Sequence, residues 1–435
     1  MKYFSTKDKK RSVTFRTAVM KGLAENGGLY MPELIPQFSH SWIESMKNMS
    51  FHELALKIAE KYCTPDISPE KLQEIIERAL TFPSPLVKIK PGVMILELFH
   101  GPTLAFKDFG ARFMARTLEY FVQFLDKELT ILVATSGDTG SAVGSGFQGI
   151  EGIRVFLLYP SGKVSHIQEQ QLTTIGGNVQ ALEIKGNFDD CQSLVKQAFQ
   201  DQVLAEKFCL TSANSINISR LIPQMFYYFD AFRNLDAMKK PVIFSVPSGN
   251  LGNITAGLLA MKMGLPVEKI IGATNSNDVF TSFIQTGKFS RRKAIQTYSN
   301  AMDVGNPSNL VRIRTLYKNN IGKIREDILS ASFSDDETLQ IIESFYKETG
   351  YVLDPHGAVG YLALEYFIKK MSDDFNGIVL ETAHPAKFKS TVEKAIKRHL
   401  SVPRTLANSL SLPKQSIILS SRYDEFREYL FRSCD

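Results

Sequence analysis

Four short segments of the chain carry side chains whose types and spacing could do chemistry. One is His100-Gly101-Pro102-Thr103-Leu104-Ala105-Phe106-Lys107-Asp108-Phe109-Gly110. A lysine at a helix start faces the positive end of the peptide dipole, which disfavours its ammonium form. Two readings of Lys107 stand side by side: a surface lysine balanced by Asp108, or an amine of lowered pKa that can form a Schiff base. The other three segments are rich in Gly, Ser, Thr and Asn. They are Thr135-Ser136-Gly137-Asp138-Thr139-Gly140, Ser248-Gly249-Asn250-Leu251-Gly252-Asn253, and Asn214-Ser215-Ile216-Asn217-Ile218-Ser219-Arg220. Glycines permit tight turns and close backbone approach, and a helix start offers free N–H groups to an anion. In the third, amides, hydroxyls and a guanidinium could converge on a second anion. Any one such turn is also an ordinary helix cap. Three in one chain point to a site for more than one anion.

Other patterns carry less. Gly144-Ser145-Gly146-Phe147-Gln148-Gly149 matches G-x-G-x-x-G, but it lies inside the helix that follows Gly140 rather than between a strand and a helix. There is no G-x-x-x-x-G-K-[ST] and no G-x-S-x-G, and Leu56 stands where H-E-x-x-H from His52 needs its second histidine. His356 and His384 read as hydrogen-bonded walls of a site rather than metal ligands; no metal site is expected. The basic clusters Lys9-Lys10-Arg11 and Arg291-Arg292-Lys293 read as solvated surface.

The elements that must position these segments form an α/β pattern. Apolar runs at Thr130–Ala134, Arg154–Tyr159, Val179–Ile184, Pro241–Val246, Lys269–Thr274 and Gly377–Leu380 alternate with helix-length segments. That alternation is the mark of βαβ units around mostly parallel sheets covered by helices. Ligands in such folds gather where strand C-termini pass into helices, which is where the Gly-rich segments fall. Residues 1–92 read as mainly helical, with apolar spacing of three and four around 51–59 and 72–80. From about Ser401 the chain is polar and ends in a short amphipathic helix, Tyr423–Phe431.

Composition sets the class. In 435 residues, 22% are charged and 11% aromatic, too apolar for a disordered chain. The net charge of +6 is a mild excess that suits an anionic small molecule and gives no reason to expect nucleic acid. The four cysteines, Cys63, Cys191, Cys209 and Cys434, show no disulfide spacing, and no signal or membrane segment is evident, so a cytoplasmic location is expected.

Together, the Lys107 segment, Ser136–Gly140, Asn214–Arg220, Ser248–Gly252 and Thr382-Ala383-His384-Pro385-Ala386-Lys387-Phe388 resemble, in order, the signatures of threonine synthases. The likeness runs from Gly27-Gly28-Leu29-Tyr30 to about residue 400 and is similar to the longer bacterial and fungal type. Since that pattern begins almost at Met1, it leaves no room for a cleaved presequence. The resemblance implies a fold type II pyridoxal-phosphate enzyme of the tryptophan-synthase-β kind, with two open, mostly parallel sheet domains. It implies an N-terminal region over 1–92 and a catalytic region over 93–435, the latter with a smaller α/β domain at about 110–230 and a short tail from about 401. The implied reaction turns O-phospho-L-homoserine and water into L-threonine and phosphate.

By the same resemblance, Lys107 holds pyridoxal 5'-phosphate and then shuttles protons. Gly249, Asn250, Leu251, Gly252 and Asn253 cradle the cofactor phosphate, and Thr382 bonds the pyridine nitrogen. Ser136, Asp138 and Thr139 meet the substrate carboxylate, and Asn214, Ser215 and Arg220 its phosphate. Leu251 and Asn253 stand where relatives often carry Phe and Asp, and Asp138 where distant ones use Asn. The implied partner is the small-molecule substrate alone, with no nucleic acid and no membrane, for a monomer or homodimer. The rivals are a phospho-lyase that stops after elimination and releases 2-oxobutyrate, a serine or threonine dehydratase, and a catalytically silent cofactor-binding protein.

Overall fold

The structure, a computed structural model, describes residues 1–235, 240–370 and 374–433; Cys434 lies outside them. The strands in chain order are β1 (Lys2–Ser5), β2 (Asp8–Thr14), β3 (Tyr30–Pro32), β4 (Leu86–Lys90), β5 (Val93–Glu97), β6 (Leu129–Ala134) and β7 (Ile153–Pro160). They continue with β8 (Val179–Lys185), β9 (Cys209–Ser212), β10 (Val242–Pro247), β11 (Lys269–Thr274), β12 (Ile328–Ser332), β13 (Asn376–Glu381) and β14 (Ile417–Ser420). All six apolar runs become strands within one residue at each end.

One sheet has the order β12-β11-β10-β13-β5-β4, parallel except for β4 at its edge. A second, all parallel, runs β14-β8-β7-β6-β9. Their central strands β6 and β10 are buried at every residue, as strands covered by helices on both faces must be. One continuous core joins the helical N-terminal region, the helix Lys107–Val122 and one face of each sheet. Separate cores fill the far face of the first sheet and the far face of the second.

The N-terminal region is mainly helical. Ser50 and Glu53 form a reciprocal cap at the start of Phe51–Cys63, and Ser68 with Pro69 starts Pro69–Ala79. It also carries the antiparallel sheet β2-β1-β3, which helical spacing does not reveal. The segment from about 401 is more than a tail. Its β14 extends the second sheet beside β8, and Phe426 and Leu430 of the helix Tyr423–Ser433 fill that sheet's far core. Lys414 pairs with Glu183 at 2.6 Å and Glu169 at 2.7 Å, which pins the segment down.

Candidate active site

The C-terminal ends of β6, β10 and β13 open onto one cleft of about 2070 Å³, which Lys107, Ser136, Asp138, Thr139, Asn214, Ser215, Arg220, Gly249–Asn253 and Thr382 all line. All of the site residues expected from the sequence are therefore brought together. The loop before Lys107 is zipped to the end of β13. Ala105 and Ala383 form an antiparallel bridge, Phe106 N donates to Thr382 O at 2.9 Å, and His384 N donates to Leu104 O at 3.0 Å. That bridge sets Lys107, the first residue of its helix, beside Thr382.

The lysine's neighbours decide between its two readings. Asp108 turns away: its carboxylate accepts from Thr103 N at 2.9 Å and Thr103 Oγ1 at 2.7 Å. Burial holds Lys107 below the usual lysine range; Asp138 opposes this, while Lys387 and Arg220 reinforce it. Asp138 is itself pulled two ways. Burial pushes its carboxyl up, but Lys387 and Lys107 outweigh that and hold it well below the usual range. Its Oδ1 accepts from Lys387 Nζ at 2.7 Å and Gln168 Nε2 at 2.9 Å, while its Oδ2 lies 3.8 Å from Lys107 Nζ. What Asp138 has left for a bound anion is its backbone N–H.

That N–H belongs to an open helix start. Gly137 precedes the helix Asp138–Phe147 at φ 138° and, as glycine, has no side chain of its own to cap it. A Cβ there would meet the Gln168 side chain at 2.7 Å, so this position needs glycine. Thr135 Oγ1 takes the N–H of Gly137 at 3.0 Å and that of Gly140 at 2.8 Å, leaving those of Asp138 and Thr139 without a carbonyl inside the helix.

The turn after β10 is built the same way with different side chains. Leu251, left-handed at φ 61°, starts the helix Gly252–Lys262 without a side-chain cap. The Asn253 side chain points inward, accepting from Tyr227 and Tyr228 hydroxyls at 2.8 Å each. Asn250 reaches sideways, donating to Ser215 Oγ at 2.7 Å and accepting from Ser308 N at 2.6 Å. The cradle is thus backbone, and Asn250 ties it to the loop that holds Asn214 and Arg220.

Arg220 is buried, donates through Nη1 to Ala213 O, and has an Nε with no partner. Burial lowers its pKa to about 10, which Asp108 opposes. It remains a cation, and an unsatisfied buried donor on it calls for an acceptor. The fully buried Arg312 braces this loop from behind by donating to Ser215 O at 3.0 Å, Ile216 O and Asn309 Oδ1 at 2.7 Å.

Some residues of the cleft had no sequence signal of their own. Gln168 joins Asp138 to Asn300 (3.2 Å), and Asn300 precedes Ala301, whose N–H donates to His356 Nε2 at 3.2 Å. His356 Nδ1 bonds Asp354 at 2.5 Å, so this histidine is a hydrogen-bonded wall residue as expected. Lys387 sat within a recognised motif without a role. Arg291, Arg292 and Lys293, read as plain surface, are exposed but line the cleft mouth, with Arg292 paired to Asp278.

Three family models tile the chain: threonine synthase N terminus over residues 2–80, pyridoxal-phosphate dependent enzyme over 79–382, and threonine synthase C-terminal over 357–430. Threonine synthase of Escherichia coli K12 is 44% identical over 99% of both chains. Its counterpart from Haemophilus influenzae is 42% identical over the full length of both. Among solved structures, threonine synthase from Escherichia coli covers all of both chains with a TM-score of 0.94 at 43% identity. The pyridoxal-phosphate-bound threonine synthase from Brucella melitensis has a TM-score of 0.93 at 36% identity, covering 100% of this chain and 99% of that one.

Proposed function

The chain belongs to the threonine synthase family of pyridoxal-phosphate-dependent enzymes, and on that premise we propose how its residues divide the work of turning O-phospho-L-homoserine and water into L-threonine and phosphate. The observation that carries the assignment is the juxtaposition of a half-buried lysine, two helix starts with open N–H groups and a buried, half-satisfied arginine in one cleft.

The residues present fit the cofactor. A Cβ on Gly249 would meet Ala301 O at 2.7 Å, so the turn needs glycine to pack against the 301–302 backbone, and it offers the first-turn N–H groups of Gly252, Asn253 and Ile254 to a phosphate. When bound, pyridoxal phosphate supplies the conjugated ring that spreads carbanion charge, which side chains cannot do.

The chain's own groups do the rest. Gly249, Asn250, Leu251, Gly252 and Asn253 hold the cofactor phosphate through backbone amides. Thr382 offers a neutral hydroxyl to the pyridine nitrogen, so that nitrogen need not carry a proton. Lys107 holds the cofactor and moves protons at the substrate's α and β carbons. The hydroxyls of Ser136 and Thr139, with the backbone N–H of Asp138 and Thr139, receive the substrate carboxylate. Asn214, Ser215 and Arg220 receive its phosphate, where a planar guanidinium can donate twice. Arg220 is what fits this cleft to a phosphorylated substrate, which a dehydratase does not need.

The same reading gives a large cofactor domain and a smaller domain at about 110–230, joined by the segment from about 401, that close on the substrate. It places the protein in the cytoplasm, as a monomer or homodimer with no nucleic-acid partner. Among the described residues no helix is long and apolar enough to cross a membrane.

The deciding assay incubates the holoenzyme with O-phospho-L-homoserine and resolves threonine, 2-oxobutyrate and free phosphate. Threonine and phosphate in equal amounts are expected. Phosphate with 2-oxobutyrate would make it a lyase instead, and no turnover with cofactor bound would make it a silent binder.

A further inference from the structure

Lys387 is a fully buried lysine that the division of labour above does not use. Its side chain has no solvent exposure, and it follows the strand end that carries Thr382. Its ammonium donates to Asp138 Oδ1 at 2.7 Å and to Thr103 O at 2.8 Å. Asp138 therefore faces two lysines, and the geometry ranks them. Lys387, with Gln168, occupies Oδ1 at hydrogen-bond distance, whereas Lys107 stands off Oδ2 at 3.8 Å.

One carboxylate beside two ammonium groups leaves a surplus positive charge in a buried cluster, and burial disfavours an uncompensated charge. The surplus is relieved most easily at the more weakly held ammonium. We propose that Lys387 is a positioning residue for Lys107: by claiming Asp138, it leaves Lys107 as the amine of the cluster that sheds its proton. Only the neutral amine has a lone pair to bond a carbonyl carbon; its two protons leave with the carbonyl oxygen as water. This rests on the assignment of Lys107 as the attachment lysine.

The other charged groups around Lys107 do not reverse the ranking. Arg220 adds positive charge and pushes the same way. Asp354 is committed to His356 Nδ1 at 2.5 Å and to the N–H of His356 at 2.8 Å. Asp108, next in the chain, is held by Thr103, with Lys387 and Arg112 nearby. The direction already noted for Lys107, below the usual lysine range, agrees.

The test is a pH titration of the bound cofactor's absorption in holoenzyme, which reads the proton on the Lys107 nitrogen joined to the cofactor in the same electrostatic surroundings, with borohydride reduction and peptide mapping on a separate sample. An adduct at Lys107 confirms the attachment site, and an adduct elsewhere defeats that assignment rather than this inference. In Lys387→Gln, a like charge near Lys107 is lost and Asp138 is left to face Lys107 as its one lysine, so the midpoint should rise by about 1–3 pH units, the usual size of a nearby-charge effect. Lys387→Arg should stay close to the parent chain. Asp138→Asn with Lys387 intact should lower the midpoint, and Lys387→Gln with Asp138→Asn should return toward it. If Lys387→Gln is not recovered folded, Asp138→Asn decides alone. A midpoint unmoved by Asp138→Asn, or by a folded Lys387→Gln, would overturn the proposal, because a merely structural lysine would alter melting without moving this titration.

Discussion

Two Gly-rich turns open helix starts onto the cleft, 135–140 at the end of β6 and 248–253 at the end of β10, yet they commit their side chains in opposite ways. In the second, Asn253 faces the tyrosines of the core and Asn250 braces a neighbouring loop, so an anion meets backbone alone. In the first, Asp138 carries a charge that is answered by Lys387 at 2.7 Å and Lys107 at 3.8 Å. A backbone cradle tolerates a change of side chain at its own positions. A charge relay does not, because each partner sets the state of the others. The difference suits an unchanging phosphate on one side and a lysine that must gain and lose protons on the other.

The contrast can be broken at either turn, and the largest effect is expected where the relay ends. Lys107→Ala should end covalent cofactor attachment and lower turnover by at least about 10²–10⁴-fold from lost proton transfer alone, read by borohydride trapping and steady-state rates. In the backbone cradle, Asn253→Ala should act on folding rather than binding. It takes the closer of two acceptors from each of two buried tyrosine hydroxyls, leaving Gln224 Oε1 at 3.5 Å and the carbonyl of residue 253 at 3.1 Å, at about 1 kcal/mol, so the melting temperature should fall while cofactor affinity holds. The smallest effect on binding is expected of Leu251→Gly, which relieves left-handed strain at φ 61°, about 1 kcal/mol, but loses about 2–5 kcal/mol of core packing, so it lowers stability. Cofactor affinity should again be unchanged, and a large loss there would mean that side chains do shape this cradle.

How much of this is legible in the sequence follows the same division. Six of the parallel strands announce themselves as mostly apolar runs because most of their residues are buried on both faces. β9, four residues at a sheet edge, and β12, Ile-Leu-Ser-Ala-Ser, have too few consecutive apolar residues to do so. β14 is invisible for another reason: Ile417 and Ile418 are exposed, and its partner β8, the buried Leu419 and the Lys414 ion pairs hold it in place. In the cleft, the Gly-rich turn marks Gly249 because close backbone packing there demands glycine, whereas Lys107 and Thr382 are marked by their resemblance to the family's motifs. Gln168, Asn300 and the partner of Lys387 depend on contacts between segments 30 to more than 240 positions apart, and no local pattern records such pairings. The cluster Arg291–Lys293 looks like any solvated basic run, and only the fold brings it to the cleft mouth.

The central claim is that two phosphates are held by two different sites, the cofactor's by the backbone turn after β10 and the substrate's by the loop with Arg220. Arg220→Ala separates them, with cofactor occupancy read by absorption and KM for O-phospho-L-homoserine read by phosphate release. Removing the cation should weaken substrate binding by about 2–5 kcal/mol, a rise in KM of roughly 30- to 4000-fold, with full cofactor occupancy. Loss of the cofactor with KM little changed in the remaining holoenzyme would contradict the account, because it would put the cofactor phosphate on Arg220.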